Sequence, residues 1–404
     1  MTIAIDYDLI QSVEVVQVEK HKFALHGNDK IFFVGEMLYD IFRLRKEGCE
    51  IDEIHQFLQE KNNACPSIEK IEEVLNDNLD KIFKEPSLKG AESKSKYIYW
   101  QIRIIPESVL EKIAGILQIL FNRYVFILFN IAGGYWTFFL VKSIFMRGLF
   151  DSRITLKDGV FLFIVSYVFL FCVSMFHEFG HASAASRFGI KAKEIGFGFY
   201  LIFPVLYTDV TKVWLLNRYR RIVVNVGGIY FQMLINIALY FAFKNFTNYQ
   251  NIVSALFLTN TTLALYSLNP IMRNDGYWIY SDLFDIPNLS KTAFDYPVRA
   301  YLYFKGKIDI FHSDGIISWG QKIALFVYAF VMYFLLLILP LGFARISFYN
   351  FKEVGKFIQE YPNLHGIMLV EQCLHILKLL FFYSLTTYFT VRMFKGLFQK
   401  FKAA

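Results

Sequence analysis

GVFLFIVSYVFLFCVSMFHEFGHA, residues 159 to 182, is an apolar run that ends in the pentapeptide His177-Glu178-Phe179-Gly180-His181. In a helix, side chains four apart share a face. His177 and His181 can therefore grip one Zn²⁺ from the same side, while Glu178 beside them can take a proton from the attacking water. That is the layout of a zinc hydrolase. The run is long enough to span a hydrocarbon core, so the site is expected inside a membrane-crossing segment.

Composition suits that address. Of 404 residues, 55% are hydrophobic and 19% aromatic, against 19% charged, and the mean hydropathy is +0.37. This is too apolar for an ordinary soluble domain of the size, and a polytopic membrane protein is expected. The net charge of +7 is unevenly divided: residues 1 to 85 carry 10 Lys/Arg against 18 Asp/Glu, and the remainder is net +15. An acidic domain thus precedes a basic one. The four cysteines, Cys49, Cys65, Cys172 and Cys373, fall in no CxxC spacing and suggest no disulfide framework. Cys172, five residues before His177, sits about 140° round a helix from it and is left out of the site.

The opening MTIAIDYDLIQSVEVVQVEKHKFAL is mixed and strand-like, with no charged-then-apolar signal peptide, so a cytoplasmic N-terminus is expected. Val13 to Val18 and Lys30 to Val34 have the β-branched and aromatic character of strands, and HGND between them is turn chemistry. Three amphipathic helices follow, at Gly35 to Lys46, Ile51 to Lys61 and Ser67 to Phe83. This predicts a small winged-helix-like α+β domain over residues 1 to 85. Its net charge of −8 argues against a nucleic-acid partner.

The order of these elements, and the phrase FFVGEMLYDIFRLRKEGCEIDEIHQFL in particular, resembles the PqqD-like domains that bind leader segments of ribosomally made, post-translationally modified peptides. The resemblance implies that a precursor peptide adds its leader as a strand to the small sheet, with Ile31, Phe32, Phe33 and Val34 as the receiving edge. The bland alternative is a folded appendage that only positions the membrane part.

Residues 86 to 106 read as a polar, Lys-rich linker with an aromatic end, and ESVLEKIAGILQIL as an amphipathic helix resting in the membrane interface, so 86 to 123 delivers the chain to the bilayer. Six candidate spans follow within 124 to 404: Tyr124 to Val141, Gly159 to Ala182, Ile222 to Phe243, Ile252 to Met272, Ile323 to Ala344 and Met368 to Val391. With the N-terminus inside, the cytoplasmic segments after the acidic domain hold 23 Lys/Arg against 8 outside, which places both termini in the cytoplasm. Glu371, His375 and Lys378 form a polar stripe in the last span, read as mutual pairing that neutralises one helix face.

A third metal ligand must reach the cytoplasmic leaflet near His181. LNPIMRNDGYW, Leu268 to Trp278, closes the fourth span there and offers Asp275, with Pro270 to interrupt the helix and Gly276 to let the backbone pass close to a neighbour. Two His and one Asp with an open fourth position make a catalytic zinc site. Asp209, Asp282 and Asp285 compete less well, being farther from a span end. Between the second and third spans, EIGFGFYLIFPVLYTDVTKVW alternates like paired strands whose edge could receive an extended substrate.

HEFGH on a membrane helix, with an NPxxxxDG element closing a later one, resembles the site-2 protease family of intramembrane zinc metalloproteases. GFGFYLIFPVLYTDVTKVW, VGGIYFQMLIN, NPIMRNDGYW and SDLFDIPNL narrow the resemblance to a bacterial branch of peptide zinc metalloproteases associated with peptide maturation and export. It implies that His177, His181 and Asp275 hold the zinc, that Glu178 is general base and acid, and that Asn269 positions the substrate backbone or stabilises the oxyanion. Tyr277 departs from the commonest pattern, where a second Gly follows Asp-Gly.

The expected protein is a polytopic α-helical membrane protein of about six transmembrane helices in the bacterial cytoplasmic membrane, with a site-2 protease-like core. It would be a zinc endopeptidase that cleaves a precursor peptide recruited through its leader. Partners would be that peptide, the lipid bilayer, and an export transporter or peptide-modifying enzyme. The rivals are regulated proteolysis of a single-span membrane protein such as an anti-sigma factor, and a non-catalytic peptide receptor or immunity protein.

Overall fold

Ile71, Leu75, Leu79 and Ile82 recur at helical spacing, and all four are buried on one face of a helix against the acidic domain's core. The computed structural model describes residues 7–20, 22–28, 30–61, 66–83, 98–147, 156–200, 203–286, 288–306 and 318–335, with isolated positions beyond. They are mostly helical and divide into two compact units, Met1–Ile279 and Tyr280–Ala404.

The first unit opens with α1 (Tyr7–Ser12), then β1 (Glu14–Glu19), β2 (Lys22–Gly27) and β3 (Lys30–Val34), which pair antiparallel in the order β1-β2-β3. Helices α2 (Glu36–Lys46), α3 (Ile51–Lys61) and α4 (Ile68–Phe83) lie within a residue of the expected bounds. Two readings are corrected. Tyr7–Ser12, within the opening read as strand-like, is helical and turns Ile10 into the core beside Leu25 and Phe42, while the strand expected at Val13 to Val18 is present as β1. A third strand, β2, occupies KFALHG; it lies between its neighbours and buries residues on both faces, so it lacks the alternation of a half-exposed strand. Of HGND, His26 and Gly27 end β2 and Asn28 turns the chain in the left-handed region (φ 46°) that Asn tolerates.

The sheet's second face is also covered. Val18, Ala24 and Ile31 pack on Leu215, and the backbone N–H of Arg218 donates to the Glu19 carboxylate (2.9 Å). Both Leu215 and Arg218 lie beyond residues 1 to 85, in the remainder of the chain.

The expected linker is in part a strand. β4 (Ile98–Pro106) pairs with β5 (Glu194–Tyr200), which pairs with β6 (Phe203–Thr208), giving a second antiparallel sheet of order β4-β5-β6. The alternation of GFGFYLIFPVLYT is thus a hairpin. The interfacial helix, α5 (Glu107–Leu117), buries Leu110 and Ala114 in the main core rather than only resting at a surface.

Helices α6 (Arg123–Arg147), α7 (Leu156–Arg187) and α8 (Arg218–Asn245) are long and apolar enough to cross a membrane. Side chains such as Leu128, Phe138, Phe163 and Tyr167 are exposed on α6 and α7, a surface that suits lipid. α8 runs against α6, α7 and α9 (Gln250–Ser267). The count of six spans is not reproduced among the described residues: three helices are long and apolar enough, α9 is not among them, the fifth candidate is the shorter apolar helix Trp319–Leu335, and the sixth falls where only isolated positions are described. Glu371, His375 and Lys378 lie outside the described residues.

α10 (Asp275–Phe284) spans the boundary between the units. In the second unit, Tyr280 donates to the Ala324 carbonyl (2.9 Å), and Tyr333 to that of Phe294 in α11 (Leu289–Phe304) (2.7 Å).

Candidate active site

His177 and His181 lie one turn apart in the last third of α7, with Nε2 atoms 3.1 Å from each other. Asp275, the first residue of α10, brings its Oδ2 to 3.0 Å from the Nε2 of His177 and 3.4 Å from that of His181. All three residues are buried, and their ligand atoms fall within 4.8 Å of one another. Residues 98 positions apart in the chain have been brought to one point.

Glycines permit the approach. A methyl group on Gly180, inside the HEFGH motif, would collide with the Gly227 carbonyl of α8, and one on Gly228 would strike the His177 ring. On the other side, a side chain at Gly276 would meet the Leu268 backbone, so the start of α10 can lie against the end of α9 and aim Asp275 at the histidines.

The far side of each imidazole is anchored by α8. The His181 Nδ1 is 2.8 Å from the Val224 carbonyl, which can only accept, so Nδ1 carries the proton and Nε2 presents a lone pair. The His177 Nδ1 lies 3.1 Å from the Gln232 Oε1.

The donor set fits a metal. With the proton of each ring on Nδ1, two imidazole lone pairs and a carboxylate oxygen would converge on one point, an arrangement that a cation relieves. Bonds of about 2.0–2.2 Å at the tetrahedral angle would set ligand atoms about 3.3–3.6 Å apart, and the separations of 3.0, 3.1 and 3.4 Å reach that with shifts of a few tenths of an ångström.

Glu178 projects into the same cavity, of about 460 Å³, which His177, His181 and Asp275 also line. Across from them stand Pro204 to Thr208 of β6, and the remaining wall is largely apolar. Thr208, at the end of β6, donates its hydroxyl toward the Glu178 Oε2 (2.7 Å). The cavity thus joins a His-His-Asp triad, a carboxylate and an edge strand.

Asn269 is not among the residues that line this cavity; its Oδ1 accepts from the Ile271 N–H (2.9 Å) and closes the turn after α9. Asn274 and Arg273 line it instead. Asp209 caps the turn at Thr211 through its Oδ1. Cys172 is exposed and free. In the first sheet, β3 is an edge strand, with Ile31 buried, Phe32 and Val34 partly buried and Phe33 exposed. Sequence reasoning missed Gln232 and Thr208. Asn225, Gln232 and Asn236 are polar positions seven and four apart on an apolar helix, a pattern that could have flagged Gln232.

A Bacillus subtilis (strain 168) protein described as "Putative peptide zinc metalloprotease protein YydH" is 25% identical to this chain over 143 residues, 35% of this chain and 56% of the relative. The match thus spans about half of that relative's length. The similarity suggests a metalloprotease, in agreement with the donor set. No family model matches the chain, and no solved structure matches it.

Proposed function

We propose that this chain is a membrane-embedded zinc endopeptidase of the site-2 protease type that trims a ribosomally made precursor peptide. The observation that carries the reading is the convergence of His177, His181 and Asp275 beside Glu178 in a cavity bordered by β6. His177, His181 and Asp275 would hold the ion. Bound there, zinc supplies a Lewis acid for the scissile carbonyl and lowers the pKa of the attacking water. Glu178 takes the proton from that water and hands it to the leaving amine. The β6 edge holds the substrate extended, so that one peptide bond faces the carboxylate. Apolar walls limit bulk water around the reacting groups.

The N-terminal sheet recruits the leader at the β3 edge, raising its effective concentration near the cavity. Two features support this: β3 ends its sheet, and the sheet docks on Leu215, seven residues beyond Thr208. The test is Glu178→Ala in the full-length protein, incubated with a candidate precursor peptide and read by mass spectrometry. Loss of cleavage with retained metal is expected; unchanged cleavage would reject the protease reading. Cleavage of a precursor without a membrane segment separates this function from proteolysis of a single-span membrane protein.

A further inference from the structure

Gln232, Asn236 and Asn260 are all at least nine-tenths buried, among mainly apolar residues of two helices. A buried amide is costly unless its polar atoms are matched. The partners form a connected path. Asn236 donates to the Thr137 hydroxyl on α6 (3.1 Å). Asn260 on α9 donates both to the Asn236 Oδ1 (2.7 Å) and to the backbone carbonyl of Gln232 (2.9 Å). The turn of α8 that carries Gln232 is therefore tied to two neighbouring helices, and its side chain ends on the His177 Nδ1 at 3.1 Å.

That contact has a chemical consequence. For the His177 Nε2 to face the Asp275 carboxylate and the His181 Nε2 as a lone pair, its proton must reside on Nδ1, and Nδ1 then needs an acceptor. The side-chain oxygen of Gln232 is that acceptor. Gly228, one turn earlier on the same face of α8, lies against the ring and leaves it no room to turn toward that helix.

We propose that Gln232 is a positioning residue for the metal centre. Its amide oxygen fixes the tautomer and ring orientation of His177, the part that the Val224 carbonyl plays for His181. The proposal rests on the zinc-site reading above and names the group that makes one of its ligands competent. A backbone carbonyl cannot be removed by substitution. Gln232 is the anchor that can.

The experiment uses the full chain in detergent micelles. Zinc affinity is measured by competition with a chromophoric chelator, and Co²⁺ is substituted to record the d–d absorption of the site. Gln232→Leu should weaken zinc binding by about 10- to 100-fold and alter the cobalt spectrum, while the melting temperature without metal stays near that of the parent. Gln232→Glu, which keeps an acceptor at the same place, should restore affinity to within a few-fold. Parent-like zinc affinity and cobalt spectrum in Gln232→Leu would overturn the proposal, as would equal losses in the Leu and Glu variants. If Gln232→Leu does not fold, Gln232→Met, close in volume and lacking the acceptor, is read in its place by the same criteria. Failure of the parent protein to bind zinc any better than a His177→Ala/His181→Ala variant would reject the metal centre itself, and this proposal with it.

Discussion

The hydroxyl of Thr208 stands 2.7 Å from the Glu178 Oε2 and 3.0 Å from that residue's own backbone carbonyl. One proton cannot serve both acceptors fully, and the charged carboxylate is the stronger. The last residue of β6 thereby ties the strand to the proposed base. Thr208 is 2% exposed, so its hydroxyl has little water to turn to. A hydrogen bond to a charged group contributes about 1.5–3 kcal/mol. Thr208→Val, similar in shape, should lower kcat by about tenfold or more at unchanged zinc content, and Thr208→Ser should recover most of it. Equal activity in the Val and parent proteins would remove Thr208 from the machinery.

Chelation gives a second expectation. With three acceptor atoms held within 4.8 Å in a buried site, the folded state should bind zinc far better than the unfolded chain does. At a free concentration 100 times Kd, the ion would add about 2.7 kcal/mol of stability. Treatment with a strong chelator should lower the melting temperature by several degrees, and zinc should restore it. Asp275→Asn should abolish most of that difference. A melting curve indifferent to zinc in the parent protein would count against the site.

A third concerns helix contact. Gly228→Ala places a methyl group against the His177 ring, and Gly180→Ala places one against the Gly227 carbonyl, where only backbone could give way. Overpacking of this kind costs about 1–3 kcal/mol. Both variants should lose stability, and Gly228→Ala should also lose zinc. Gly134→Ala on α6 is the control, since nothing lies within 4 Å of the added carbon. It should be neutral or slightly stabilising. Metal analysis and thermal melts of the three variants decide this, and parent-like zinc in Gly228→Ala would contradict it.

The histidine pair was legible in sequence because its geometry is local: the spacing of four fixes the relation of His177 to His181 before any tertiary contact forms. Asp275 was legible for a weaker reason, as a carboxylate at a helix end flanked by Pro and Gly. Helices α2 to α4 showed their apolar period. What escaped was set by distant partners. β4 exposes most of its residues and is a strand only because β5, some 90 residues later, supplies its hydrogen bonds. Thr208 carries no local signature of its role, and Gln232 shows only as a polar position on an apolar helix; what each does comes from the elements it faces. Asn269 stands apart: its place in a motif pointed to substrate, and its Oδ1 accepts a hydrogen bond in a local turn.

The contact between the first sheet and the segment that leads into α8 yields the last prediction. Leu215 is 9% exposed and meets Val18, Ala24 and Ile31, while Glu19 accepts from the first turn of α8. The strand proposed to receive the leader is thus held against the turn that connects β6 to α8. Leu215→Asp would set a charge against three apolar side chains, a substitution expected to cost more than the loss of packing alone. Amide exchange over Glu14–Val34 should quicken. If tethering raises local concentration, cleavage of a leader-bearing precursor at low substrate should fall by about tenfold or more, because the docked geometry sets the effective concentration. A core peptide lacking its leader should be cut at the parent rate, since the cavity is untouched. Equal losses on both peptides would show that Leu215 supports the active site rather than recruitment, and equal retention on both would show that the docked domain plays no part in delivering substrate.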